Sequence, residues 1–139
     1  MNGSDVGDRE ISRGEPEIFA MTRRILIVDD EALIRWSVAE SLEDAGFVTA
    51  EAGSAAEAIK QLDGNGFAVV LLDLRLPDSS DLGLLRRIRQ LAPQARIILM
   101  TAFGTPEILA EARQLGAVST LNKPFDMTRV VGLVREAVA

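Results

Sequence analysis

The chain contains neither cysteine nor histidine. Without cysteine there can be no disulfide and no thiolate metal site. Without histidine, the usual general base near neutral pH and every imidazole ligand are missing. No apolar run approaches the ~20 residues that a membrane-crossing helix needs. The first 20 residues lack the basic start and apolar core of a signal peptide. Positive charge is in deficit, with 15 Lys and Arg against 21 Asp and Glu, a net charge of −6. That balance argues against direct nucleic-acid binding by this domain, which would rest on neutralising phosphates with Lys and Arg. Any chemistry must therefore use carboxylate, hydroxyl, ammonium and backbone groups. A cytoplasmic protein with no membrane contact is the natural reading.

What is present is a chain of 139 residues, 47% hydrophobic, enough for one domain with a proper core. Residues 1–20 are polar and rich in acids (Asp5, Asp8, Glu10, Glu15, Glu17), and read as a flexible acidic leader to a domain spanning 21–139. Met21 is a second candidate start. Beyond Arg23, apolar strand-like runs fall at 25–28, 67–72, 97–100 and 118–121, with a weaker one at 47–50. Helical periodicities lie between them. Ile34, Val38, Leu42 and Ala45 form one core-facing stripe, with Trp36 off it. Ser54 and Glu57 form a capping box. Leu85 and Ile88 point inward from a helix over 82–91, Pro106 sits in the first turn of the next, and Asp126 is placed to cap the last. Strand and helix alternate five times, which predicts a parallel sheet with right-handed crossovers.

The strand ends carry the chemistry. Ile25-Leu26-Ile27-Val28 is apolar at every position, as a strand covered on both faces is, and it runs straight into Asp29-Asp30. The second buried run ends in Asp73, the third in Thr101, and the last leads to Lys123-Pro124. Open α/β sheets keep their sites at the carboxyl ends of their strands. Singly, each residue has an ordinary role: a turn or helix-capping aspartate, a β-branched strand threonine, a solvated surface lysine. Four of them on one rim point instead to a site for a divalent cation and a phosphoryl group.

Asp29-Asp30, Asp73 with Leu74-Arg75-Leu76-Pro77-Asp78, Thr101-Ala102 and Lys123-Pro124-Phe125 stand in the order and spacing of a known family. Over residues 23–139 the chain resembles the receiver domain of two-component response regulators. Ile34-Arg35-Trp36-Ser37 and Thr101 to Glu107 look most like receivers of NtrC-type transcriptional activators. The resemblance implies a flavodoxin-like (βα)5 three-layer sandwich with a five-stranded parallel sheet of order 2-1-3-4-5. It implies Asp73 as phosphoacceptor, with Thr101 and Lys123 contacting phosphoryl oxygens. Asp29, Asp30, Asp73 and the backbone carbonyl of Arg75 would hold Mg2+ or Mn2+, since oxygen-only ligation suits those ions. Small Ala102 leaves room for the phosphoryl group, and Pro124 follows a cis peptide bond. The implied partners are a histidine kinase or phosphotransfer protein and a second copy of the chain. The implied switch surface is formed by the fourth helix, fifth strand and fifth helix, controlling an output such as transcription. Such a protein catalyses its own phosphorylation and slow dephosphorylation and is not a turnover enzyme.

Three positions depart from the family. Thr120 stands where an aromatic usually couples phosphorylation to the far face. Ser80-Asp81 replaces a usual Asp-Gly, so that loop lacks glycine's access to φ > 0. Arg75 and Phe103 flank the approach of hydrolytic water without being water-positioning acids or amides. Other readings stay open: a degenerate receiver acting as an interaction module, a Mg2+-dependent aspartyl phosphatase, or a flavodoxin-like cofactor binder. The phosphatase class would want Asp-x-Asp after the first strand. The flavin class would want a Ser/Thr/Gly-rich phosphate loop there, where Asp29-Asp30-Glu31 instead repels phosphate.

Overall fold

The structure, a computed structural model, describes residues 23–139. The expected leader over 1–20 lies outside the described residues. The elements run β1 (Arg24–Val28), α1 (Ala32–Asp44), β2 (Val48–Ala52), α2 (Ala55–Leu62), β3 (Val69–Asp73), α3 (Gly83–Leu91), β4 (Arg96–Thr101), α4 (Pro106–Gln114), β5 (Ala117–Asn122) and α5 (Met127–Val138). All strands pair in parallel, in the order β2-β1-β3-β4-β5. This is the flavodoxin-like arrangement, with the sheet as the middle of three layers.

The apolar runs behave as their composition requires. Ile25 to Val28, Val69 to Leu71 and Ile97 to Met100 are fully buried, because helices cover both faces of these central strands. Alternate side chains feed two separate cores. Leu26, Val28, Val70, Leu72, Ile97 and Leu99 pack toward α2, α3 and α4. Ile25, Ile27, Val69, Leu71, Ile98 and Met100 pack toward α1 and α5. Strand β2 is an edge and only Ala52 in it is buried, which is why its run in the sequence is weak. It also extends to Ala52, two residues beyond the apolar stretch.

The helix signals hold with two adjustments. Ser54 accepts the Glu57 N–H at 3.1 Å, but Glu57 reaches back to the Gly53 N–H at 2.7 Å rather than to Ser54. Asp126 occupies the N-cap position of α5, yet its side chain makes no capping hydrogen bond. Thr105 caps α4 ahead of Pro106. Helices α1 and α4 stop at Gly46 and Gly116, whose φ of 97° and 111° suit glycine after a helix end. Among the described residues no helix is long and apolar enough to cross a membrane.

Candidate functional site

The carboxyl ends of β1, β3, β4 and β5 converge because the strands are parallel and in register: Val28 lies opposite Leu72, Asp73 opposite Met100, and Thr101 opposite Asn122. The residues that follow these positions are brought onto one rim. Asp29 is fully buried, Asp73 and Thr101 nearly so, and Asp30 is exposed.

Lys123 organises the group. Its ammonium lies 2.7 Å from Asp29 Oδ2, 3.0 Å from Glu31 Oε1 and 3.2 Å from Asp73 Oδ2. The backbone holds it there: the Lys123 N–H donates to the Thr101 carbonyl at 2.9 Å, and the Lys123-Pro124 peptide is cis. Burial works against the ammonium charge, but Asp29, Glu31 and Asp73 outweigh it and push its pKa above the ordinary lysine range. Asp73 shifts upward as well. Desolvation is the main cause and the Asp29 charge adds to it, while the Arg75 N–H and Lys123 pull the other way.

The backbone donates to both acids: Asp29 Oδ1 accepts the Glu31 N–H at 2.9 Å, and Asp73 Oδ1 accepts the Arg75 N–H at 3.2 Å. Asp29 Oδ2 is the one buried side-chain oxygen, among the described residues, with no aligned hydrogen bond. Carboxylate oxygens of Asp29, Asp30 and Glu31 lie within 4.8 Å of one another. A fully buried oxygen whose partner is the Lys123 ammonium alone, beside two further carboxylates, fits a hard divalent cation, which takes oxygen ligands and keeps part of its water shell. Zinc, which favours nitrogen and sulfur donors, fits poorly.

Thr101 Oγ1 accepts the Phe103 N–H at 3.1 Å, leaving its own hydrogen free to donate. Ala102 is exposed beside it. Thr120 in β5 pairs with Leu99 of β4 and is half-buried, a small hydroxyl side chain where an aromatic ring was the usual residue. Trp36 is 57% exposed on α1, off the buried stripe.

Four features of the site escaped the sequence. Glu31 entered only as one of three successive acids that repel phosphate, yet it is one of three partners of Lys123. Asp78 reaches across to α2, accepting the Ala55 and Ala56 N–H groups at 2.8 and 3.1 Å, which anchors the loop after Asp73. Gly104 sits where a Cβ would come within 2.9 Å of both Thr101 Cγ2 and Leu109 Cδ2, so a larger residue there would have to displace one of these side chains. The Arg75 guanidinium stacks over the Phe103 ring at 4.5 Å. The adjacency of Glu31 to the acid pair and the glycine two residues after Ala102 were the only local signals.

A family model described as a response regulator receiver domain matches residues 25–135. The chemotaxis protein CheY of Bacillus subtilis is 35% identical over 117 residues, covering 84% of this chain and 98% of that protein. The DNA-binding transcriptional regulator NtrC of Escherichia coli is 35% identical over 115 residues, covering 83% of this chain and 24% of that protein. The chain thus spans about a quarter of that relative's length. Among solved structures, a CheY-like receiver domain protein from Methanospirillum hungatei superposes with a TM-score of 0.80 at 28% identity, covering 84% of this chain and 93% of the other. The receiver domain of NtrX from Brucella abortus gives 0.75 at 32% identity, with 82% and 97% covered.

Proposed function

We propose, from the premise that this chain belongs to the response regulator receiver domain family, that it is a phosphorylation-dependent switch whose phosphoacceptor is Asp73. The supporting observation is the Lys123 ammonium held against Asp73 Oδ2 and Asp29 Oδ2 at the carboxyl end of the sheet. An Asp73 oxygen forms the new bond to phosphorus while the donor's phosphorus–nitrogen or phosphorus–oxygen bond breaks. A carboxylate can do this when the incoming charge is neutralised and held in line. Lys123 supplies fixed positive charge, and the Thr101 hydroxyl donates to a phosphoryl oxygen. Asp29, Asp30, Glu31 and the carbonyl of Arg75 would hold Mg2+, with Asp73 contributing an oxygen. The bound ion would neutralise phosphoryl charge.

A histidine kinase or phosphotransfer protein is the proposed donor, in the cytoplasm. The readout is a change in the face made by α4, β5 and α5, which offers a surface for a partner or a second copy and controls an output such as transcription. With Thr120 in place of an aromatic, the signal passes through Thr101 and the loop that follows it, where Gly104 leaves the space that a Cβ would contest with Thr101 and Leu109.

The test is incubation with acetyl phosphate and Mg2+, followed by intact-mass measurement. One phosphoryl group is expected on the wild type and none on Asp73→Asn. Undiminished labelling of Asp73→Asn would move the nucleophile elsewhere. An unlabelled wild type would leave an interaction module that does not accept phosphate.

A further inference from the structure

Arg75 stands apart from the other charges of the site. The rim carries four carboxylates, and Lys123 is ion-paired to three of them. Arg75 begins two residues beyond Asp73, and its own N–H is bonded to Asp73 Oδ1. Among the described residues the guanidinium has no carboxylate partner, and its one specific contact is the face of Phe103 at 4.5 Å. Phe103 is anchored in turn, since its N–H is bonded to Thr101 Oγ1. The ring is 63% exposed, so its face is open to the guanidinium.

This geometry has a chemical consequence. Stacking consumes the face of a guanidinium and leaves its in-plane N–H donors free. Those donors form a planar fork that matches the oxygens of a phosphoryl group. An unpaired arginine on an acidic rim, braced by the ring of a residue whose backbone N–H is bonded to Thr101, is arranged to receive an anion.

We propose that Arg75 is a second phosphoryl-binding cation of this site, additional to Lys123, and that Phe103 is a positioning residue that holds it in place. The ligand is the phosphoryl group of the incoming donor, and afterwards the same group on Asp73. Arg75 then serves in both directions: it draws in the dianionic donor and later shields the acyl phosphate from water. The inference rests on Asp73 being phosphorylated, as proposed above.

The experiment compares wild type, Arg75→Ala, Phe103→Leu and the double variant, all in Mg2+. Two quantities are read: the rate constant for Asp73 labelling by acetyl phosphate, and the half-life of the phosphorylated protein after the donor is removed. Arg75→Ala is expected to slow labelling by about tenfold, since a charge-assisted hydrogen bond is lost. It should also shorten the half-life. Phe103→Leu keeps apolar bulk but removes the aromatic face, and should weaken both by about two- to fivefold, as an exposed cation–π contact would. Because the two residues act as one unit, the double variant should be no worse than Arg75→Ala. The Mg2+ concentration for half-maximal labelling should match wild type in every variant, since only the backbone of Arg75 is assigned to the metal. Labelling and lifetime unchanged in Arg75→Ala would overturn the proposal, as would strictly additive losses. A wild type that is never labelled would instead overturn the reading beneath it.

Discussion

Lys123 is the residue on which the metal-free site depends. Two of its three acid partners are almost wholly buried, and Asp29 Oδ2 has no aligned hydrogen bond to fall back on. Removing one partner of a buried ion pair leaves an uncompensated charge and is usually strongly destabilising. Lys123→Ala should therefore cost about 2–3 kcal/mol in urea unfolding without metal, below the full cost of a broken buried pair, because Asp73 can take a proton. Added Mg2+ should recover much of that loss by supplying the missing positive charge. A Lys123→Ala protein as stable as wild type in chelator would show that the acids do not need it. The same lysine marks where sequence reasoning stops. Its position before Pro124 was legible. Its contact with Glu31, 92 residues away, exists only once the sheet is assembled.

The elements were legible where burial is two-sided, and less so at the edges. Strands β1, β3 and β4 announce themselves because every buried position before the site must be apolar, and each run is broken by a polar residue that the site uses. Strand β2 and the middle of β5 are half solvated, so their patterns blur. The link between α2 and the loop after β3 was invisible because Ser54 already looks like a sufficient cap. Asp78 supplies two more acceptor contacts from outside the helix, and its carboxyl sits below the usual aspartate range because the Ala55 N–H, then the Ala56 N–H, bind the ionised form. The sign follows: a depressed folded pKa gives stability that is present above the ordinary aspartate range and lost as pH falls through the depressed value. Asp78→Ala should lower the melting temperature at neutral pH, and the gap to wild type should close as pH falls below that of a free aspartate. A gap that stays constant as pH falls on through the depressed value would mean that the charge on Asp78 is not what anchors the loop.

At the scale of the molecule, acids crowd one rim of a domain whose sequence carries a net charge of −6. Lys123 touches Asp29, Glu31 and Asp73 but not Asp30. Asp30 thus adds repulsion that no lysine offsets. Asp30→Ala should raise the melting temperature in chelator and abolish the stabilisation Mg2+ gives the wild type, which at a hundredfold excess over Kd amounts to about 2.7 kcal/mol. Calorimetry with and without Mg2+ decides it: a variant that melts lower in chelator and still responds to the ion contradicts the assignment.

The order β2-β1-β3-β4-β5 also sets a schedule for a chain made from its amino end. β2 lies against β1, β3 against β1, β4 against β3 and β5 against β4. Each strand after the first therefore emerges to find its neighbour already synthesised, and the sheet can grow without waiting for later sequence. The charges follow a different timetable. Asp29, Glu31 and Asp73 all leave the ribosome before the lysine that neutralises them, Asp73 by 50 residues. During that interval the acids lack the ammonium that will pair with three of them, and a divalent cation from the surrounding solution would supply a counter-charge of comparable strength.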